Sequence, residues 1–267
     1  MTLYDKFETD TSSTYLKHII TKLEDPVCLL GGWAVYLTVN DLFSKDQGRN
    51  YLGSRDIDLG FYIPTSLSKT KLKDTTIGKS LTSLKTLGFN NIGFRYYKEI
   101  HYETRKELTP EEAKRTPTHD IFPMYIDPIV NEIHPFFKET FGFTPVDEPL
   151  LTFVFQHKKY RVELTEFNIP LWVPSPEILL ATKIKSVPRR TKDEKLIKDI
   201  CDIYALLWYS GKDYNTLQEE TWKILNKNDK KQLQFFIQKE HDIFQKTQTA
   251  LDIDTEIIKN LFKKFLK

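Results

Sequence analysis

The chain has 267 residues, of which 40% are hydrophobic and 28% charged, a globular balance that excludes a disordered or collagen-like protein. Its 39 basic residues exceed its 37 acidic residues by only two, so any surface that attracts nucleic acid must be local. The presence of only two cysteines argues against a disulfide framework or a cysteine-rich zinc module and favours a reducing, cytoplasmic setting. No apolar stretch reaches the ~18 residues that a membrane span needs.

The N-terminal elements lead through a pair of glycines to a strand that carries two aspartates. Apolar residues at helical spacing, a short run typical of a buried strand and a Gly-Gly turn are the main signals. In chain order, we expect a helix capped at Ser12 or Ser13, a strand over 27–30, a turn at Gly31-Gly32, a helix over 33–43, a loop over 44–53 and a strand over 56–63.

The middle of the chain combines one long helix with further strands. A lysine-rich amphipathic stretch that ends at Gly88 predicts a surface helix, and alternating apolar residues predict strands. The predicted elements are a helix over 66–87, strands over 94–104 and 124–130 with a loop over 109–123 between them, and a hairpin of 152–156 and 160–166.

The character of the sequence changes near residues 172–176, which include two prolines. From there to residue 267, helical periodicity dominates and strand signals almost disappear. We therefore expect an α+β protein. Its first domain, residues 1–173, is predicted as a small mixed β-sheet flanked by helices, and its second, residues 174–267, as all-helical.

Asp56 and Asp58 are the most informative residues of the chain. On a strand, residues two apart point to the same face, so two carboxylates stand side by side in an otherwise apolar segment. A cation relieves their repulsion, and oxygen ligands favour Mg²⁺ or Mn²⁺. Such a pair can bridge the two metal ions of phosphoryl transfer. Alternatively, it is solvated or bound to an arginine at the end of a strand.

Gly31 and Gly32 open the helix before this strand, and Gly32 lies 24 residues before Asp56. Glycine lets a phosphate approach the backbone, and the first N–H groups of a helix bind anions. A polyphosphate can therefore lie on the turn while its metal ions lie on the carboxylates. The alternative is a tight strand-to-helix turn without a ligand.

The segments LLGGWAVYL and GSRDIDLGF resemble the nucleotidyltransferase (DNA polymerase β-like) superfamily. SRDIDL is similar to the form of its AbiEii-type group, which includes abortive-infection and toxin–antitoxin enzymes. PSPEILLATKIKSVPRR and KDICDIYALL resemble a later motif of that group. The likeness covers residues 26–64 and 174–207, whereas residues 210–267 match no motif of the group.

The resemblance implies a third carboxylate on a neighbouring strand, and two residues are candidates. Asp127 follows the earlier elements in the expected order and lies in an apolar segment, where a charge needs a partner. Pro128 directly after it predicts an edge strand. Glu163 is the alternative, although its alternation with apolar neighbours is more typical of a solvated strand face.

Roles for individual residues follow from this resemblance. Asp56, Asp58 and Asp127 are the expected metal ligands and catalytic carboxylates, together with Lys183, which would neutralise the triphosphate. The implied nucleotide-binding residues are Gly31, Gly32, Ser54, Lys183, Asp199 and Asp202.

Lys183 and the two later aspartates also have structural interpretations. Lys183 is alternatively an ordinary solvent-exposed lysine of a helix. Asp199 and Asp202 lie three residues apart on one helix face, where they either orient Lys183 or the nucleotide, or form an N-terminal-turn pair or intrahelical ion pairs with Lys195 or Lys198. Residues 183–198 contain seven basic residues against two acidic ones. This cluster predicts a surface for triphosphate or RNA, with a solvated lysine-rich helix as the alternative.

The expected function is metal-dependent transfer of a nucleoside monophosphate from an NTP to an acceptor hydroxyl, with release of pyrophosphate. The acceptor is tRNA or other RNA, a protein or a small molecule, and the resemblance to toxins adds a cognate antitoxin protein as a partner; no membrane partner is expected. Two alternatives remain: an Asp-x-Asp glycosyltransferase that uses a nucleotide sugar, and an inactive nucleotidyltransferase fold that only binds a partner.

Overall fold

The computed structural model describes residues 3–165, 171–239 and 241–267. The α-helices in this part of the chain are α1 (Lys6–Ile20), α2 (Gly31–Gln47), α3 (Thr76–Thr86), α4 (Pro110–Ala113), α5 (Phe137–Phe141), α6 (Leu151–Gln156), α7 (Pro176–Ser186), α8 (Asp193–Tyr209), α9 (Tyr214–Ile224), α10 (Lys227–Lys239), α11 (His241–Leu251) and α12 (Thr255–Leu266). The strands are β1 (Cys28–Leu30), β2 (Ile57–Phe61), β3 (Asn90–Ile92), β4 (Arg95–His101), β5 (Ile121–Val130), β6 (Val146–Asp147), β7 (Arg161–Leu164) and β8 (Leu171–Pro174).

These strands form one mixed sheet in the order β3-β4-β5-β2-β1-β8-β7, with β6 paired to β5 beside this path. At its centre, β2 runs antiparallel to β1 and parallel to β5. Ile57 and Leu59 of β2 are completely buried, as expected for a strand with neighbours on both sides. A mixed sheet flanked by helices, with a helical C-terminal region, confirms the predicted α+β class.

The chain packs as two compact units. The sheet unit contains Tyr4–Trp33 and Gly53–Pro174, and the helical unit contains Ala34–Leu52 and Ser175–Lys267. The chain thus passes from the sheet unit to the helical unit at 174/175, next to the predicted boundary at 173/174, but residues 34–52 group with the helical unit. Among the helices of the described residues, none combines the length and the apolar character needed to cross a membrane.

Several predicted boundaries are wrong for local reasons. Helix α1 begins at Lys6 rather than after Ser12, because the side chain of Asp5 caps the Phe7 N–H. Ser12 instead accepts a hydrogen bond from the indole of Trp33, at 2.9 Å. Helix α2 begins at Gly31 itself and continues to Gln47, into the predicted loop.

The predicted helix over 66–87 is divided in two. Lys69–Asp74 form a 3-10 helix, and Thr75 is extended, with its side chain capping α3 at the Gly78 N–H. The predicted loop over 109–123 contains α4 and already includes the first residues of β5.

The predicted hairpin of 152–156 and 160–166 is also wrong. Residues Leu151–Gln156 form α6, because a short apolar run fits a buried helix as well as a strand. Strand β7 pairs with β8 instead, and residue 166 lies outside the described residues.

Pro128 is not on an edge strand, since β5 lies between β4 and β2. It is tolerated because the pairing of β5 with β4 ends at Ile126, two residues earlier.

Candidate functional site

Three carboxylates converge at the centre of the sheet unit. Asp58 of β2 lies directly opposite Asp127 of β5, and directly opposed residues of neighbouring strands place their side chains on the same face. Asp56 lies two residues before Asp58, just outside β2, which begins at Ile57 rather than at residue 56. We call Asp56, Asp58 and Asp127 the carboxylate row.

Gly31 lies against this row because Leu30, the last residue of β1, is the pairing partner of Asp58. Gly31 has a φ of +61°, in the left-handed region. A Cβ atom at this position would lie 1.8 Å from Oδ2 of Asp58, far inside van der Waals contact. Both the backbone conformation and the approach of the carboxylate therefore require glycine here.

Arg95, the first residue of β4, binds two members of the row. Its Nε donates to Oδ1 of Asp127 at 2.7 Å, and its Nη2 donates to Oδ2 of Asp127 at 2.9 Å. The same Nη2 donates to Oδ2 of Asp56 at 2.8 Å. One guanidinium thus holds Asp127 through both oxygens and bridges it to Asp56.

The Arg95 guanidinium also stacks on Tyr125, with Cζ 3.9 Å from the ring centroid. Tyr125 and Asp127 occupy the same half-buried face of β5, whereas the alternate residues are buried. Burial alone would lower the pKa of Arg95, but its hydrogen bonds and charge interactions with Asp127 and Asp56 outweigh burial and raise that pKa. Arg95 is therefore a permanent cation of this site.

Ser54 and Glu163, two further predicted residues, take different positions in the sheet unit. Ser54 is buried, and its hydroxyl donates to the backbone oxygen of Asp56 at 3.1 Å, which ties down the bend before β2. Glu163 lies on the edge strand β7, three strands from β2 in the sheet order, and it pairs with Arg161 at 3.7 Å. Asp127 rather than Glu163 therefore stands beside Asp58.

The carboxylate row offers only oxygen donors, which fit Mg²⁺ or Mn²⁺ in kind. Within residues 3–165, 171–239 and 241–267, however, no three carboxylate, histidine or cysteine side chains are arranged as a metal-binding group. Arg95 contacts oxygens of two predicted ligands. The residues thus fit a hard divalent cation by their chemistry, and an arginine cation occupies oxygens that such an ion would use.

Lys183, Asp199 and Asp202 come together inside the helical unit. Nζ of Lys183 lies 2.9 Å from Oδ1 of Asp199 and 2.7 Å from Oδ2 of Asp202, and all three side chains are buried. Arg190 and Ser186 also bind Asp199. This arrangement joins α7 to α8 through the buried charges of Lys183, Asp199 and Asp202.

Asp202 has two further partners, one of which is the intrahelical lysine that the sequence suggested as an alternative. Lys198 binds Asp202 one helical turn away, and the Tyr51 hydroxyl donates to Oδ1 of Asp202 at 2.7 Å. Both aspartates therefore bind Lys183, and Asp202 also forms the intrahelical pair with Lys198.

The buried network shifts the pKa values of its members. Burial alone would lower the pKa of Lys183, but the charges of Asp199 and Asp202 and their hydrogen bonds outweigh burial and raise it. Burial alone would raise the pKa of Asp199, yet Lys183 and Arg190 lower it to about 2. Lys183 and Asp199 are therefore a charged pair across the ordinary pH range.

The basic cluster of residues 183–198 presents a smaller basic surface than its sequence predicts. Lys183 and Lys198 are buried, and Arg190 is turned towards Asp199. The exposed charges of the segment are Arg189, Lys192, Lys195, Asp193 and Glu194, whereas Lys185 and Arg190 are partly exposed. The five exposed groups carry a net charge of +1, which attracts a nucleic-acid backbone less than seven basic residues against two acidic ones would.

Sequence reasoning did not single out Arg95 or Tyr125. Arg95 is 32 positions from Asp127, and only the antiparallel pairing of β4 with β5 brings them together. The sole signal was indirect: paired carboxylates on a strand are expected to need a cation, and an arginine was one of the alternatives.

Comparisons with known proteins add little. No protein-family model matches the chain, and no curated protein matches it in sequence. Among solved structures, an antigenic nucleotidyltransferase-like protein from Paracoccidioides brasiliensis is similar over 93% of each chain, with 16% identity and a TM-score of 0.42. A likeness at this level identifies neither a family nor an activity for this chain.

Proposed function

We propose that the chain is a metal-dependent nucleotidyltransferase that moves a nucleoside monophosphate from an NTP to an acceptor hydroxyl and releases pyrophosphate. The observation that supports this proposal most is the position of the carboxylate row beside Gly31. Asp58 lies next to Asp127 across two strands, and its carboxylate lies against the glycine that opens α2. The turn proposed to bind phosphate thus lies next to the carboxylates proposed to bind metal.

Each residue has a distinct part in this proposal. Asp56, Asp58 and Asp127 would hold Mg²⁺ or Mn²⁺, which would offset phosphate charge and promote deprotonation of the acceptor hydroxyl. Ser54 positions Asp56 through the backbone hydrogen bond at its bend. Gly31 and Gly32 present the first N–H groups of α2 to the polyphosphate.

The predicted nucleotide-binding residues of the helical unit already bind one another. Lys183 is bound on two sides by aspartates, so its contribution to triphosphate binding, with Asp199 and Asp202 as the residues that orient it, stays a prediction. A toxin role with a cognate antitoxin, and an acceptor on RNA, protein or a small molecule, follow from the sequence resemblance.

Transfer of label from α-³²P-NTPs to macromolecules of a cell lysate tests this function and shows the class of acceptor. We expect Asp58→Asn to lower labelling at least about 100-fold, since it removes a ligand charge with little change in shape. Glu163→Gln is the matched control in the same sheet and should label like the wild type. Labelling by Asp58→Asn at the wild-type rate would refute the proposal. Labelling from a nucleotide sugar instead would favour the glycosyltransferase.

A further inference from the structure

Arg95 occupies the position in the carboxylate row where a bridging cation would lie. Its Nη2 is 2.8 Å from an oxygen of Asp56 and 2.9 Å from an oxygen of Asp127. Its Nε binds the second oxygen of Asp127. Three of the four oxygens of these two carboxylates therefore accept hydrogen bonds from this one guanidinium.

Arg95 is also held in this position by its surroundings. The guanidinium lies over the Tyr125 ring, with Cζ 3.9 Å from its centroid, and the Arg95 side chain is 23% exposed. A planar, bidentate and stacked arginine loses little entropy in this arrangement. A metal ion that uses Asp56 and Asp127 together must therefore displace a well-placed cation.

We propose that Arg95 is an internal competitor of the divalent metal ion, so that the site binds metal only when the guanidinium leaves Asp56 and Asp127. This inference rests on the proposed function, because it takes the carboxylate row to be the metal site. The carboxylate of Asp58, the third member of the row, lies against Gly31. Arg95 is thus a residue that regulates occupancy of the site and not a ligand in it.

Titration with Mn²⁺, followed by the electron paramagnetic resonance signal of the free ion, tests the proposal without any turnover. Arg95→Met removes the guanidinium but keeps an unbranched side chain, and we expect it to bind Mn²⁺ at least about tenfold more tightly than the wild type. Arg95→Lys keeps one charge but cannot make the bidentate contact, so we expect an intermediate affinity. Arg95→Lys also tests the proposal by itself if Arg95→Met does not fold.

Two control variants make the outcome specific. Lys98→Met removes another cation from β4, one paired with Glu107 at 2.6 Å, and should bind Mn²⁺ like the wild type. Asp58→Asn should abolish the tight binding when combined with Arg95→Met.

The possible results separate the two proposals. Equal or weaker Mn²⁺ binding by both Arg95 variants, with measurable binding by the wild type, would overturn the competitor role and show that Arg95 instead positions Asp127 as a ligand. If neither the wild type nor any Arg95 variant bound Mn²⁺, the metal site itself, and with it the proposed function, would fail.

Discussion

Gly31→Ala is the most direct test of how the site is built. The substitution adds one methyl group at a residue with a φ of +61°, and that group would lie 1.8 Å from Oδ2 of Asp58. Gly48→Ala is a matched control, because Gly48 follows the other end of α2, has a φ of +66° and has no atom within 4 Å of the added group. The two variants share the backbone strain and differ in the collision.

The expected magnitudes follow from these two terms. A non-glycine residue in the left-handed region costs about 1–2 kcal/mol, which both variants should lose in the free energy of unfolding. The collision at Gly31 should add about 1–3 kcal/mol, as for other overpacked sites. Relief of the collision requires Asp58 to move by about 1.5 Å, and a displacement of about 1 Å in a catalytic site lowers rates about 100-fold.

Urea unfolding measures the first quantity, and labelling from α-³²P-NTPs measures the second. We expect Gly31→Ala to be less stable than Gly48→Ala and to lose labelling, while Gly48→Ala keeps it. Equal stability of the two variants would refute the close packing of Gly31 against Asp58. A stability difference with unchanged labelling would leave the packing intact but remove Asp58 from the reaction.

The buried network of the helical unit gives two further predictions. Lys183→Met should lower the free energy of unfolding by about 3–5 kcal/mol, because it leaves two buried aspartates without their shared cation, whereas Lys185→Met on the same helix should change it by less than about 1 kcal/mol; chemical denaturation compares them. The folded-state pKa of Asp199, about 2, lies below the ordinary 3.8, so this carboxylate stabilises the fold above pH ~4, and that contribution, about 2 kcal/mol, is lost as the pH falls towards 2. Acid unfolding of Asp199→Asn should lack this component, and an unchanged pH dependence would contradict the assignment.

Local sequence patterns were sufficient to predict several of the elements that surround the site. Asp56 and Asp58 were singled out because two like charges share one face of an otherwise apolar strand, and Gly31 because it opens a helix after a buried strand. Strand β1 follows from a short continuous apolar run, and the helical C-terminal region follows from helical periodicity. Residues 151–156 were assigned wrongly because six residues do not distinguish a strand from a helix whose buried residues are three apart.

Contacts between residues far apart in the sequence determined the parts of the site that local patterns did not predict. The position of Asp127 beside Asp58 depends on parallel register between β2 and β5, which no local pattern specifies. Arg95 enters the site from a third strand, and its neighbours in the sequence resemble an ordinary strand. The burial of Lys183 was equally hidden, since a lysine on a helix is exposed unless acidic partners from another helix reach it.

The route of the polypeptide through its two units constrains how the protein is synthesised and dissected. Helix α2 starts in the sheet unit, while its later residues, among them the completely buried Val35, Val39 and Phe43, belong with residues 175–267. At about 5–20 residues per second, the 215 residues from 53 to 267 take roughly 10–45 s to be made, and this apolar surface lacks its remaining partners during that time. Truncation from either terminus never yields the helical unit by itself. Its isolation requires a fusion that begins at residue 34 and joins residue 52 directly to residue 175.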